Sequence, residues 1–248
     1  MIRLPWLDSE CLDPFPPVAT ALAEPDGLLA AGGDLRPERL LDAYRHGIFP
    51  WFSAGQPILW WSPARRSVFD TAQPHVPRRL RRWLRGCDWS IRVDTAFGQV
   101  IEACAAPRAR ERGTWITPAM VTAYVRLHEL GHAHALEVWD GATLVGGIYG
   151  VALGRMFFGE SMFSRRSNAS KLALLALCAG LHEWDFPLLD AQIASPHLAT
   201  LGARELPRDA FCSEVARLAV PPGRVGSWRE AFACHRPAAL AAMGGSRR

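Results

Sequence analysis

Gly159-Glu160-Ser161-Met162-Phe163-Ser164 is the stretch on which the fold turns. It follows an apolar run from Val151 to Phe158 and precedes a helix-like segment from about Ser167 to His182. One acid and two hydroxyls sit among Met156, Phe157, Phe158, Met162 and Phe163. Two readings stand at this point. Glu160 is either solvated at a strand-to-helix turn or buried, and a buried carboxylate needs a partner because leaving it unpaired is costly. Leu188-Leu189-Asp190-Ala191-Gln192 favours the second reading, since it sets another acid in another apolar strand.

Working outward, Ala133 to Trp139 reads as a strand, Asp140-Gly141 as a hairpin turn, and 143–158 as two strands turning near Leu153-Gly154-Arg155. Leu188 to Ile193 is a further buried strand. Thr117 as N-cap, Pro118 in the first turn and Gly131 as the stop bound a helix with Met120, Tyr124 and Leu127 on its buried stripe. Ser195-Pro196 opens a short helix that Gly202 ends, and Arg208 to Leu218 is helical. Strands and helices mixed in this way predict an α/β (α+β) fold.

The chain has 248 residues, 49% of them hydrophobic, which suffices for one large domain or two small ones. No apolar run reaches the roughly 20 residues of a membrane span. Residues 1–17 hold three acids and several prolines and no signal-type apolar core, so a cytoplasmic location is expected. The six cysteines are scattered without a CxxC pair, as reduced thiols would be. Net charge is +4, and Lys171 is the only lysine.

Residues 1–64 form a Pro-, Gly- and Trp-rich N-terminal unit, with a strand and glycine turn over 27–35 and a helix from Pro37 to Gly47. Ile48-Phe49-Pro50-Trp51-Phe52 and Ile58-Leu59-Trp60-Trp61-Ser62-Pro63 are mostly core, but prolines make the segment rigid enough to present rings for stacking. A linker is expected over 62–66, a helix over 77–86, a strand at Ile91–Val93, and a helix from Thr95 to Cys104 capped by Asp94. Residues 65–236 make the main domain, and a flexible tail is expected over 237–248. The 77–86 helix carries Arg78, Arg79, Arg81, Arg82 and Arg85 with no acid among them, which suits phosphate contact.

His128-Glu129-Leu130-Gly131-His132 matches the HExxH zinc pattern. The stop at Gly131 puts His132 beyond the helix, whereas zinc binding needs both histidines on one helical face. No metal site is expected.

The ordered set Gly27–Leu35, Gly47–Phe52, Ile58–Pro63, Gly113–Thr117, Leu127–His134, Gly159–Ser164 and Asp190-Ala191-Gln192 resembles the leucyl/phenylalanyl-tRNA-protein transferases over about residues 14–212. The resemblance implies a small N-terminal α/β domain followed by a GNAT acetyltransferase-like domain, with a mixed sheet flanked by helices. It implies transfer of Leu or Phe (also Met) from aminoacyl-tRNA to an N-terminal Arg or Lys, making an N-end rule degradation signal, with no cofactor, no membrane and a monomeric chain. Against the family pattern, Ala191 replaces a cysteine, Ser195-Pro196 replaces an asparagine and its neighbour, Ile148 replaces a pocket methionine, and Leu177 and Leu181 replace phenylalanines.

On that basis Asp190 and Gln192, two apart on a strand and so on one face, are the candidate catalytic pair. Gln192 orients the attacking amine and Asp190 fixes both. Glu160 is the candidate for the acceptor's cationic side chain or amine. Trp51, Trp115, Tyr44 and Tyr124 are candidates for the tRNA's terminal adenosine. Phe157, Met162, Leu174, Leu177, Leu181 and Ile148 match the donor side-chain pocket, and the five arginines hold the acceptor stem. The competing readings are an acyltransferase using acetyl-CoA, a non-catalytic tRNA-binding protein and, last, a zinc protease.

Overall fold

The computed structural model describes residues 4–106, 114–220 and 223–243. The first half runs β1 (Trp6–Leu7), β2 (Leu28–Gly32), α1 (Pro37–Arg45), β3 (Phe49–Pro50), β4 (Leu59–Trp61), β5 (Arg65–Asp70), α2 (Arg78–Arg85), β6 (Ser90–Val93), α3 (Phe97–Ala105) and α4 (Pro118–Glu129). The second half runs β7 (Ala133–Asp140), β8 (Thr143–Leu153), β9 (Met156–Ser164), α5 (Ala169–Glu183), β10 (Leu188–Gln192), α6 (Pro196–Ala199), β11 (Arg204–Pro207), α7 (Arg208–Leu218) and α8 (Pro237–Leu240).

Local chemistry sets several of these boundaries. α4 opens on Pro118, and Thr117 caps it by accepting from the Met120 N–H at 3.3 Å. It stops at Glu129 because Gly131 takes a left-handed φ of +78°, where an added Cβ would lie 2.2 Å from the Gly226 nitrogen. His132 therefore lies off the helix that carries His128. The His128 ring stacks on Phe97 with centroids 4.3 Å apart. No helix among the described residues is long and apolar enough to cross a membrane.

Two sheets result. The small one has the order β1-β2-β4-β3, and the large one β11-β5-β10-β9-β8-β7-β6. Every neighbour pair in the large sheet is antiparallel except β9 and β10, joined by the α5 crossover. On one face pack α3, α4 and the small sheet with α1, in a core running through Tyr44, Phe49, Phe97, Tyr124 and Phe158. That core is continuous between residues 1–64 and the rest of the chain. On the other face α2, α5 and α8 close over Leu80, Leu136, Phe157, Leu174 and Trp228.

Three expectations need correction. The segment expected as a linker over 62–66 already contains the start of β5, which pairs with both β10 and β11. Asp94 does not cap α3. It adopts a φ of 54° and accepts from Ala135 N, Trp228 N and His134 Nδ1, while Glu137 takes the Thr95 and Ala96 N–H groups. Residues 237–240 are helical, with Pro237 and Leu240 buried, rather than part of a flexible tail. Residues 244–248 lie outside the described residues, as does Gly113. Of the two readings of Glu160, the structure shows the favoured one: it is buried inside β9, which runs on to Ser164.

Candidate active site

β9 and β10 pair only from Leu188↔Met156 to Asp190↔Phe158, and then part. Each strand carries a bulge at that place. In β9, Tyr149 faces Ser161 and Gly150 faces Gly159, which leaves Glu160 as the extra residue. In β10, Asp190 faces Val68 and Gln192 faces Ser67, which leaves Ala191 over. A bulge re-aims the side chains beside it. Here it turns Glu160 toward α1 and α4, while Met162 packs on the opposite, α5 face.

Across the opening, Gln192 Nε2 donates to Glu160 Oε1 at 2.7 Å. The Tyr44 hydroxyl donates to the same oxygen at 2.7 Å, and the Tyr124 hydroxyl to Oε2 at 3.0 Å. The two tyrosine hydroxyls also touch each other. Burial pushes the Glu160 carboxyl up to about 7. The two tyrosine hydroxyls pull it back down, and the Asp190 charge adds to the rise. Burial and the Glu160 charge hold both tyrosines well above the ordinary phenol range.

Asp190 is wholly buried. Its Oδ1 accepts from Arg66 Nε at 2.9 Å and its Oδ2 from Arg66 Nη2 at 2.7 Å. Oδ1 also accepts the Gln192 backbone N–H at 2.8 Å. Gln192 takes a left-handed φ of 58°, so it meets Glu160 through the bulge rather than by simple strand alternation. Asp190, Gln192 and Glu160 are thus brought together, but Asp190 faces an arginine and is closed to an incoming amine.

The remaining candidates divide. Trp51, Trp61 and Trp115 line a cavity of about 770 Å³ between the small sheet and the start of α4. Trp51 is exposed and Trp115 half-buried, so both can present a face. Tyr44 and Tyr124 cannot stack on a base, because both are fully buried against Glu160. Glu160 and Gln192 do not line that cavity. Thr117, which does, stands about 10 Å along α4 from Tyr124, at 1.5 Å per residue.

The six expected donor-pocket residues share the α5 face. Ile148, Phe157, Leu174, Leu177 and Leu181 are buried core there, and only Met162 is partly exposed. They pack as interior. Arg78, Arg79, Arg82 and Arg85 are exposed, with Arg78, Arg79 and Arg82 around a depression of about 520 Å³. Arg81 is half-buried and aims at the Val76 and Met243 carbonyls. Among the described residues none of the five forms an ion pair.

Sequence reasoning missed Arg66, because two arginines after Ser62-Pro63 look like linker. The signal was the Val68-Phe69 pair that follows, which suits a buried strand. It also missed that Tyr44 and Tyr124 serve Glu160, since nothing in their helical stripes names a partner across the sheet.

A mixed seven-stranded sheet flanked by helices, whose one parallel pair opens onto a buried polar contact, makes this an α/β protein. Within that class, the chain belongs to the leucyl/phenylalanyl-tRNA protein transferase family, whose sequence model matches residues 68–216 and whose N-terminal domain model matches residues 33–64. It is 58% identical over 238 residues to a leucyl/phenylalanyl-tRNA–protein transferase of Xanthomonas axonopodis pv. citri, covering 95% of each chain. It is 55% identical to one of Stutzerimonas stutzeri, covering 86% of this chain and 94% of that one. Among solved structures, a GCN5-related N-acetyltransferase-like protein from Streptococcus suis aligns with a TM-score of 0.32 at 14% identity, over 68% of this chain and 63% of that one.

Proposed function

We propose that this chain transfers leucyl or phenylalanyl groups, and methionyl groups, from aminoacyl-tRNA to the N-terminal Arg or Lys of proteins, at the place where β9 and β10 part. The observation that carries this is the end-to-end likeness to transferases of that name, 58% over 95% of both chains. The reaction is aminolysis of an ester. The acceptor nitrogen bonds to the aminoacyl carbonyl carbon, the carbon–oxygen ester bond breaks, and the tRNA hydroxyl leaves with a proton.

A free α-amine has a pKa of about 7.7–8.0, so near neutrality it arrives mostly as ammonium. Glu160, raised to about 7, is matched to receive that ammonium and relieve it of a proton. Gln192 donates its amide N–H to Glu160, which leaves its carbonyl Oε1 to accept from the amine and aim the lone pair. Aiming supplies much of the rate for an ester that is already activated.

Trp51 and Trp115 line the cavity proposed for the terminal adenosine. Trp51→Ala should weaken aminoacyl-tRNA binding by about 1–3 kcal/mol, the worth of one stacked base. Fluorescence titration reads this, and an unchanged Kd would remove Trp51 from the site. The exposed α2 arginines are the proposed grip on the acceptor stem. Reversing Arg79 and Arg82 to Glu should flatten the slope of log K against log salt by about 2 or more, since each phosphate left without its cation removes roughly 0.9 from that slope. A slope that does not move would place docking elsewhere.

The test of the function itself is transfer of labelled phenylalanine from charged tRNA to an Arg-initiated peptide, with and without ribonuclease. Ribonuclease-sensitive labelling is expected. Labelling from acetyl-CoA instead, or tRNA binding without transfer, would replace the reading.

A further inference from the structure

We propose that Arg66 is a positioning residue for the transfer step: it holds Asp190, and through Asp190 the left-handed turn at Gln192, so that the Gln192 amide stays on Glu160. This rests on the function proposed above and adds a residue to it.

The guanidinium is 1% exposed. Its Nε and Nη2 engage both oxygens of Asp190, at 2.9 and 2.7 Å, and its Nη1 donates to the Gly47 carbonyl at 3.2 Å. The rings of Phe49 and Phe211 lie 4.5 and 4.6 Å from its central carbon. With bonds in its plane and a ring contact from each of α7 and β3, the fork has no freedom to turn.

What it immobilises is specific. Asp190 Oδ1 accepts the Gln192 N–H two residues on, the local bond by which an aspartate stabilises a turn. A φ of 58° is costly for a residue with a Cβ, so Gln192 holds it only while another interaction offsets that cost. If Asp190 swings, that bond is lost, the strand relaxes toward extended geometry, and the amide leaves Glu160. Both Asp190 oxygens are already engaged, so the pair's hydrogen bonds reach the reaction through Gln192; its charges also bear on Glu160, Asp190 raising the carboxyl and Arg66 lowering it, and Arg66→Lys keeps both charges. Lysine offers a point charge without a fork and cannot hold Asp190 in one orientation.

The experiment is a double-mutant cycle on kcat for phenylalanine transfer from charged tRNA to an Arg-initiated peptide, run well below the melting temperature of every variant. Arg66→Lys should lower kcat by about tenfold or more and leave the aminoacyl-tRNA KM within about twofold. In a Gln192→Ala background the same change should cost nothing further, because the element it positions is gone. Full additivity of the two losses, or a wild-type kcat in Arg66→Lys, overturns the proposal. Should Arg66→Lys not fold, Asp190→Asn enters the same cycle with the same two outcomes, read at about pH 9, where Glu160 is ionised with or without the Asp190 charge. A wild-type chain that transfers nothing overturns the proposed function itself, and this inference with it.

Discussion

Replacing Asp190 with alanine is expected to lower the free energy of unfolding by about 3–5 kcal/mol. The variant leaves the Arg66 guanidinium in the interior with no carboxylate, between the rings of Phe49 and Phe211. A buried charge stripped of its partner is costly because neither water nor protein then compensates it. The change also removes the acceptor for the Gln192 N–H. The pair itself need not add net stability, since desolvating both ions offsets much of their attraction. The double replacement Arg66→Met with Asp190→Leu should therefore be less destabilised than Asp190→Ala alone. Urea unfolding of the three proteins decides it, and a loss below about 1 kcal/mol for Asp190→Ala would show that the interior is wetter than the geometry implies.

Glu160→Gln is expected to reduce kcat by about a hundredfold, the scale of a lost proton acceptor. It should also change the pH profile. In the wild type the rate is expected to rise first as Glu160 ionises near 7 and then as the acceptor amine deprotonates. The variant keeps only the second rise, so the half-maximal point moves up toward about 8. Stability follows the same group with a definite sign. The folded carboxyl is raised from 4.5 to about 7, so the folded chain holds the extra proton between those values. Wild-type stability therefore falls as pH climbs through that window, by roughly 3 kcal/mol at 1.36 per unit, and levels off above it. Glu160→Gln should lack that slope. A profile and slope identical to wild type would remove Glu160 from proton transfer.

Elements bounded by strong local chemistry were readable in the sequence. α4 lies between Thr117-Pro118 and Gly131, α1 begins on Pro37 and ends short of Gly47, and α7 follows Pro207 as an amphipathic run. The start of β5 was not readable, because Arg65 and Arg66 hide a strand whose charges are neutralised by residues more than a hundred positions away, and only Val68-Phe69 points to it. The polar cluster was legible as a set, since Glu160, Asp190 and Gln192 are polar residues that apolar strands would not otherwise carry. Their pairing was not. Strand alternation placed Asp190 and Gln192 side by side, whereas two bulges turn Asp190 to Arg66 and Gln192 to Glu160. A bulge inserts one residue and shifts every side chain after it, and no local signal marks where it falls. The tyrosines were misassigned for a similar reason. Their buried faces are evident from helical spacing, but the Glu160 carboxylate that claims their hydroxyls comes from a distant strand.

Acceptor amine and aminoacyl ester are proposed to meet at the Gln192–Glu160 contact. The most direct test is a crystal structure with a non-hydrolysable amide analogue of 3′-phenylalanyl-adenosine and a peptide beginning with arginine. The peptide's α-nitrogen is expected within hydrogen-bond distance, about 2.7–3.2 Å, of Gln192 Oε1 and beside Glu160, facing the aminoacyl carbonyl. An α-nitrogen bound elsewhere, with Gln192 and Glu160 still closed on each other, would contradict it.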